Sequence, residues 1–114
     1  MSTSVLAEWL TSLSLPERAR LLVRISSELT IYAREYGLSG PDSGSNHKRL
    51  IGTNELQHKL MGQAGLYLDG VHDNVYPPDV FSEILSQTAE HYGIASDLAT
   101  AVRHARGGGA LLDL

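Results

Sequence analysis

The residues best spaced for metal chemistry lie in one short segment, Asp69-Gly70-Val71-His72-Asp73. It brings two carboxylates and an imidazole close together, and His58 lies upstream as a further nitrogen donor. Such a mixed nitrogen and oxygen set suits a divalent transition metal. Loops between helices are often acidic without a metal, and no two histidines have the i, i+4 helical spacing typical of zinc hydrolases. We therefore predict a solvated loop, with no metal centre and no cofactor.

Residues for catalysis are equally sparse. Asp79 and Glu83 are one helical turn apart, a spacing that serves acid–base chemistry only when both acids share a cleft. They fall on the polar side of a predicted helix start, so solvated surface is the preferred interpretation. No serine has a nucleophile-elbow context, and the run Gly107-Gly108-Gly109 follows a helix, whereas a phosphate loop precedes one. The chain has no cysteine, which excludes thiol chemistry. The sequence predicts a protein that is not an enzyme.

One predicted helix, Arg49 to Asp69, has an apolar stripe that is interrupted by amides. At about 100° per residue, the stripe comprises Leu50, Leu60, Met61, Ala64 and Leu68. Asn54 and Gln57 fall near its middle, and His58 lies at its edge. A buried amide without a hydrogen-bond partner costs about 1–3 kcal/mol. This face is therefore expected to meet a specific partner.

The candidate interface on this helix has six residues: Asn54, Gln57, His58, Met61, Gly62 and Gly65. A polar residue at one core position of a helix pair fixes register and oligomeric state. The two amides are one turn apart and would pair with their copies across a two-fold axis, while the glycines let the backbones approach. In a second interpretation, both amides bond to the second or fourth helix of the same chain. In a third, the helix is rotated and leaves them in water.

The chain as a whole predicts an all-α fold, a small bundle of four to five helices in a single domain. The first helix runs from about Ser4 to Leu13 and the second from a capping box at Ser14 and Glu17 to Tyr36. The third ends near Asp69. The fourth runs from the proline pair 77–78 to Tyr92, with Gly93 as its stop, and the last from Asp97 to Arg106. Residues 38–47 are predicted to be a flexible loop, and residues 107–114 a mobile tail released by the three glycines.

Charge and composition limit the partners. The net charge is −4, and no Lys or Arg occurs from Leu60 to Val102, a stretch with six acidic residues. This segment is either a solvated acidic surface or a face that attracts a basic partner. No apolar run approaches the ~18 residues of a membrane span, and the N-terminus shows no secretion signal. A cytoplasmic location is expected.

We therefore expect a small, non-catalytic interaction or regulatory protein that acts by helix-mediated protein contact. Its expected partners are a second copy, forming a homo-oligomer, and another protein, which is basic if the acidic stretch is a binding face. One alternative is a helical bundle that binds a small ligand or a metal. A second alternative is a DNA-binding regulator, which is disfavoured because no recognition helix beside a tight turn is visible and the aromatic residues are not interleaved with basic ones.

Overall fold

The computed structural model describes residues 2–38, 44–70 and 75–112, with side chains for residues 5–38, 44–70 and 75–107. This described part of the chain forms five helices and no strand, which confirms the predicted all-α bundle. The helices are α1 (Ser2–Thr11), α2 (Leu15–Leu38), α3 (Gly44–Leu68), α4 (Pro78–His91) and α5 (Ala95–Leu112).

Helices α2 and α3 form the most extensive pair in the bundle. They run antiparallel, because the Arg18 guanidinium lies 5.6 Å from the ring of Tyr67, whereas that of Arg49 lies 5.9 Å from the ring of Tyr36. Helix α5 packs on α2, and α1 packs on α4. All five helices contribute to one core, whose largest fully buried apolar side chains are Leu6, Leu10, Leu22, Ile25, Leu29, Leu56, Leu60, Phe81, Leu85 and Ile94.

Two of the predicted helix signals have the expected geometry. At the start of α2, the Ser14 backbone N–H donates to Glu17 Oε1 at 3.0 Å, and the Glu17 backbone N–H donates to Ser14 Oγ at 3.4 Å. The bond from the Ser14 backbone also lowers the pKa of the Glu17 carboxyl. At the end of α4, Gly93 has φ +72°, a left-handed conformation that favours glycine. The capping box and this glycine stop are confirmed.

Several predicted boundaries were wrong, and the first helix, for example, ends at Thr11 and not at Leu13. Helix α2 passes Gly37 and ends at Leu38, and α3 begins at Gly44. Residue 38 and residues 44–47 of the predicted loop are therefore helical, while residues 39–43 lie outside the described part. Helix α5 continues through the three glycines to Leu112, because glycine weakens a helix by up to about 1 kcal/mol without removing its backbone hydrogen bonds. The mobility of the tail stays a prediction, and residues 113–114 are not described.

The buried face of α3 is also rotated from the predicted one. Met61 and Leu68, predicted to face the core, are 49% and 65% exposed, whereas Leu60 and Ala64 are buried as expected. Polar side chains take part of the buried face because they find partners there. Gln63 Nε2 donates to the Tyr76 carbonyl at 3.0 Å, and a hydrogen bond of this kind offsets the cost of burying the amide.

Candidate functional site

The solvent side of α3 carries a stripe of positions that repeats every three and four residues. We call it the outer stripe, and its members are Ile51, Asn54, His58, Met61, Gly65 and Leu68. This alternation is the 3.5-residue repeat by which one helix packs along another. None of the six is Asp, Glu, Lys or Arg. Its three large apolar side chains are among the most exposed in the described part of the chain: Ile51 is 45%, Met61 49% and Leu68 65% exposed.

The structure separates the six predicted interface residues. Asn54, His58, Met61 and Gly65 belong to the outer stripe, and Gly62 is exposed beside it. Gln57 does not belong to it. Its Nε2 donates to the Ser26 carbonyl at 2.9 Å and to Thr30 Oγ1 at 3.0 Å, both on α2.

The two amides therefore follow different interpretations. Gln57 forms a hydrogen bond within its own chain, as the second interpretation expects. Its amide is therefore already used and does not pair with its copy across a two-fold axis. Asn54 is left exposed, as the third interpretation expects. An interface through the remaining five residues stays a prediction.

The glycines of α3 differ in what surrounds them. A Cβ added at Gly62 or Gly65 would meet nothing within 4 Å, so among the described residues no other helix or loop approaches these positions closely. A Cβ added at Gly52 would overlap the Tyr92 side chain. Close packing inside the chain therefore requires glycine at Gly52. Gly62 and Gly65 instead leave this part of the α3 surface without a side chain that would keep another backbone at a distance.

A second surface lies between α1 and α4, where a groove of about 700 Å³ opens to solvent. We call it the α1–α4 groove. Its described lining residues are Ala7 and Glu8 from α1, and Asp79, Val80, Ser82, Glu83, Ile84 and Gln87 from α4. Three of the eight are carboxylates, and none is Lys, Arg or His. The lining therefore combines three carboxylates with three apolar side chains, Ala7, Val80 and Ile84.

One polar group in this groove lacks a partner. Ser82 is 1% exposed, and its hydroxyl has no hydrogen bond in the described structure. Sequence reasoning assigned Asp79 and Glu83 to solvated surface, and both are exposed. It missed Glu8 and Ser82, because only the packing of α1 on α4 brings these residues to one groove. The available signal was the absence of basic residues between Leu60 and Val102.

Two tyrosines form polar contacts between elements: Tyr36 of α2 with Asp97 of α5, and Tyr92, which follows α4, with Glu55 of α3. The Tyr36 hydroxyl donates to Asp97 Oδ2. Burial, followed by this hydrogen bond, raises the pKa of Tyr36 to about 12. A hydrogen bond to Glu55 likewise raises the pKa of Tyr92. Both phenols are neutral donors near pH 7, so they join helices and supply neither a base nor a nucleophile.

The described residues give no support to the metal alternative. His58 and Asp69 are both exposed, while His72 and Asp73 lie in the segment 71–74, outside the described part. Within the described ranges, no three His, Asp or Glu side chains are grouped so that they could hold a metal ion. In the same ranges, no helix combines the length and the apolar character that crossing a membrane requires.

Comparisons with known proteins add no relationship to this description. No protein-family model, no curated protein sequence and no solved structure matches the chain. Function is therefore inferred from the surfaces of the bundle.

Proposed function

We propose that this is a non-catalytic interaction protein that self-associates through the outer stripe of α3. The observation that carries the proposal is the stripe itself. It keeps the three-and-four spacing of paired helices from Ile51 to Leu68, it bears no formally charged side chain, and it lies opposite the buried side chains of the same helix. An exposed helix face of this kind is typical of a surface that another helix covers.

A second copy of the chain is the occupant that the stripe fits best. In a two-fold dimer the same patch faces itself, so an uncharged stripe meets its copy without like-charge repulsion. Charged side chains lie beside the stripe instead: Lys59 Nζ is 3.8 Å from Glu55 Oε1 on the same helix. In paired helices the positions that flank the contact are often charged in this way. The helix has 25 residues and is about 37 Å long, which gives an extended contact.

Asn54 gives this contact a means of selecting one arrangement. It is the one amide of the outer stripe, and its side chain is exposed in the single chain. A polar residue at a core position of a helix pair lowers stability but selects a register and an oligomeric state. In the proposed dimer, Asn54 therefore specifies the alignment, while Ile51, Met61 and Leu68 supply the apolar contact.

The test is molar mass by light scattering after size exclusion, at tens of micromolar protein. Wild type is expected to be a dimer. Met61→Glu, which places a charge in the stripe, is expected to be a monomer with unchanged helical circular dichroism. Ile31→Glu is the matched control, because Ile31 is 57% exposed on α2, and it should remain a dimer. A monomeric wild type would refute the proposal, as would a dimer unaffected by Met61→Glu.

We also propose that the protein acts in the cytoplasm. A chain without cysteine has no need of an oxidising compartment for its folding, and this supports an interior location. Fractionation of cells that express a carboxyl-terminally tagged chain tests the point. Recovery in the cytosolic fraction is expected, and recovery from the medium or the membrane pellet would contradict it.

A further inference from the structure

We propose that the α3 helices of two copies pair in antiparallel orientation, about a two-fold axis at the level midway between Lys59 and Leu60. This inference rests on the proposed self-association and assigns the register in which the outer stripe complements its copy. Ile51 and Leu68, the two ends of the stripe, lie equally far from this level. Antiparallel pairing therefore places every residue of the stripe opposite another residue of the stripe.

The large side chains of the stripe fit this register. Ile51 meets Leu68 of the second copy, and His58 meets Met61 of the second copy. All four are exposed in the single chain, and two-fold symmetry repeats each contact on the other side of the axis. The pair is therefore apolar at both ends and brings an imidazole beside a thioether near the middle, a contact that sulfur and aromatic rings favour.

Gly65 distinguishes the antiparallel orientation from the parallel one. Its backbone is open to a partner, because a Cβ added there would meet nothing within 4 Å. In the antiparallel register this position lies opposite the exposed Asn54, whose amide can donate to a carbonyl of the facing helix through its second lone pair. In a parallel pair Gly65 would face its own copy. Met61 and Leu68 would then hold the two axes apart and leave a gap that loses van der Waals contact.

Charge supplies an observation that is independent of the stripe residues. Lys48 and Asp69 are exposed and three heptads apart, so they lie on the same flank of the stripe, one near each end. Asp69 still follows the helix, because its backbone N–H donates to the Gly65 carbonyl at 3.0 Å. Neither side chain has an ion pair within the described part of the chain.

Antiparallel pairing brings these opposite charges together. Lys48 lies within about 3 Å, two residues along the axis, of the level of Asp69 of the second copy, and the symmetry forms this pair twice. In a parallel pair each of the two charges would instead lie at the level of its own copy, where no opposite charge from the second chain meets it. Charge and side-chain size therefore favour the same orientation.

Pulsed dipolar spectroscopy on the full chain tests the orientation. Lys48→Cys places one nitroxide per chain near the N-terminal end of α3, and Lys59→Cys places one beside the proposed axis. The antiparallel register separates the two Lys48 labels by about 35 Å along the helices. The two Lys59 labels lie at nearly one level, on axes about 8–10 Å apart. A parallel pair would give a short distance at both positions.

Charge reversal tests the ion pair. Lys48→Asp or Asp69→Lys alone is expected to raise the dimer Kd, measured by sedimentation equilibrium, at least five-fold, because each creates two contacts between like charges. The double variant is expected to return to within two-fold of wild type. Arg103→Asp on α5 and Glu90→Lys on α4 are the matched controls, since both residues are exposed outside α3. Each should change the Kd less than two-fold.

The outcomes separate this inference from the self-association on which it rests. A short distance between Lys48 labels in a dimer would overturn the antiparallel pairing alone. Single charge reversals without effect, or a double variant as weak as the single ones, would do the same. A monomeric wild type, or Lys59 labels without a short distance, would instead refute self-association through α3. A long distance at Lys48 with a short one at Lys59, and recovery by the double variant, is the expected result.

Discussion

At the residue scale, the hydropathy pattern did not predict which polar side chains the fold buries. Thr53 and Gln63 are buried, and each has a partner: Thr53 Oγ1 donates to the Arg49 carbonyl at 2.8 Å, and Gln63 donates to the Tyr76 carbonyl. Gln57 is held by two oxygens of α2. Such partners come from other turns and other helices, so the sequence showed that amides interrupt the apolar pattern but not which of them the fold would bury.

Tyr36 carries a pH prediction. Its pKa is raised from 10 to about 12 in the folded protein, so its neutral form is favoured by folding. This contribution to the free energy of unfolding is fully present below pH 10 and is lost as the pH rises towards 12. Urea unfolding at several pH values in this range should show a fall for wild type that is smaller for Tyr36→Phe.

Asp97→Asn is the companion variant for this prediction. It removes the carboxylate that accepts the phenol's hydrogen bond, so the pKa of Tyr36 should fall towards its ordinary value. Absorbance of the phenolate reports that pKa directly. Equal losses of stability in wild type and Tyr36→Phe between pH 10 and 12 would contradict the assignment.

At the scale of elements, local signals predicted the helix ends where a side chain or a left-handed glycine supplies the stop. The capping box of Ser14 and Glu17 and the stop at Gly93 depend on neighbouring residues alone, and both were predictable. The continuation of α5 through Gly107 was not, because glycine only weakens a helix. The rotation of α3 was not predictable either, since its buried face depends on α2 and α4.

Substitutions at two glycines of α3 test whether packing or helix propensity determines how each position contributes to stability. Gly52→Ala should lower the free energy of unfolding by about 1–3 kcal/mol, the cost of overpacking, because the added methyl group overlaps Tyr92. Gly62→Ala should raise it by up to about 1 kcal/mol, the helix preference of alanine, since its Cβ meets nothing. Chemical denaturation measures both, and a stabilising Gly52→Ala would contradict the packing of α3 on Tyr92.

At the scale of the whole molecule, the bundle presents two surfaces of different chemistry. The outer stripe bears no formally charged side chain, while three carboxylates line the α1–α4 groove. Sequence reasoning predicted the first surface in part, because four of its six candidate residues lie on the stripe. It did not predict the groove, since Glu8 and Ser82 lie far apart in sequence and line one groove only because α1 packs on α4.

Spin labelling tests the central claim, self-association through α3, most directly. The chain lacks cysteine, so Lys59→Cys places one nitroxide per chain beside the outer stripe, and Arg20→Cys places one on α2 as the control. With paired α3 axes about 8–10 Å apart, pulsed dipolar spectroscopy should give a short distance between chains for the Lys59 label and a longer one for the Arg20 label. No dipolar signal between chains, or a shorter distance from α2, would contradict the account.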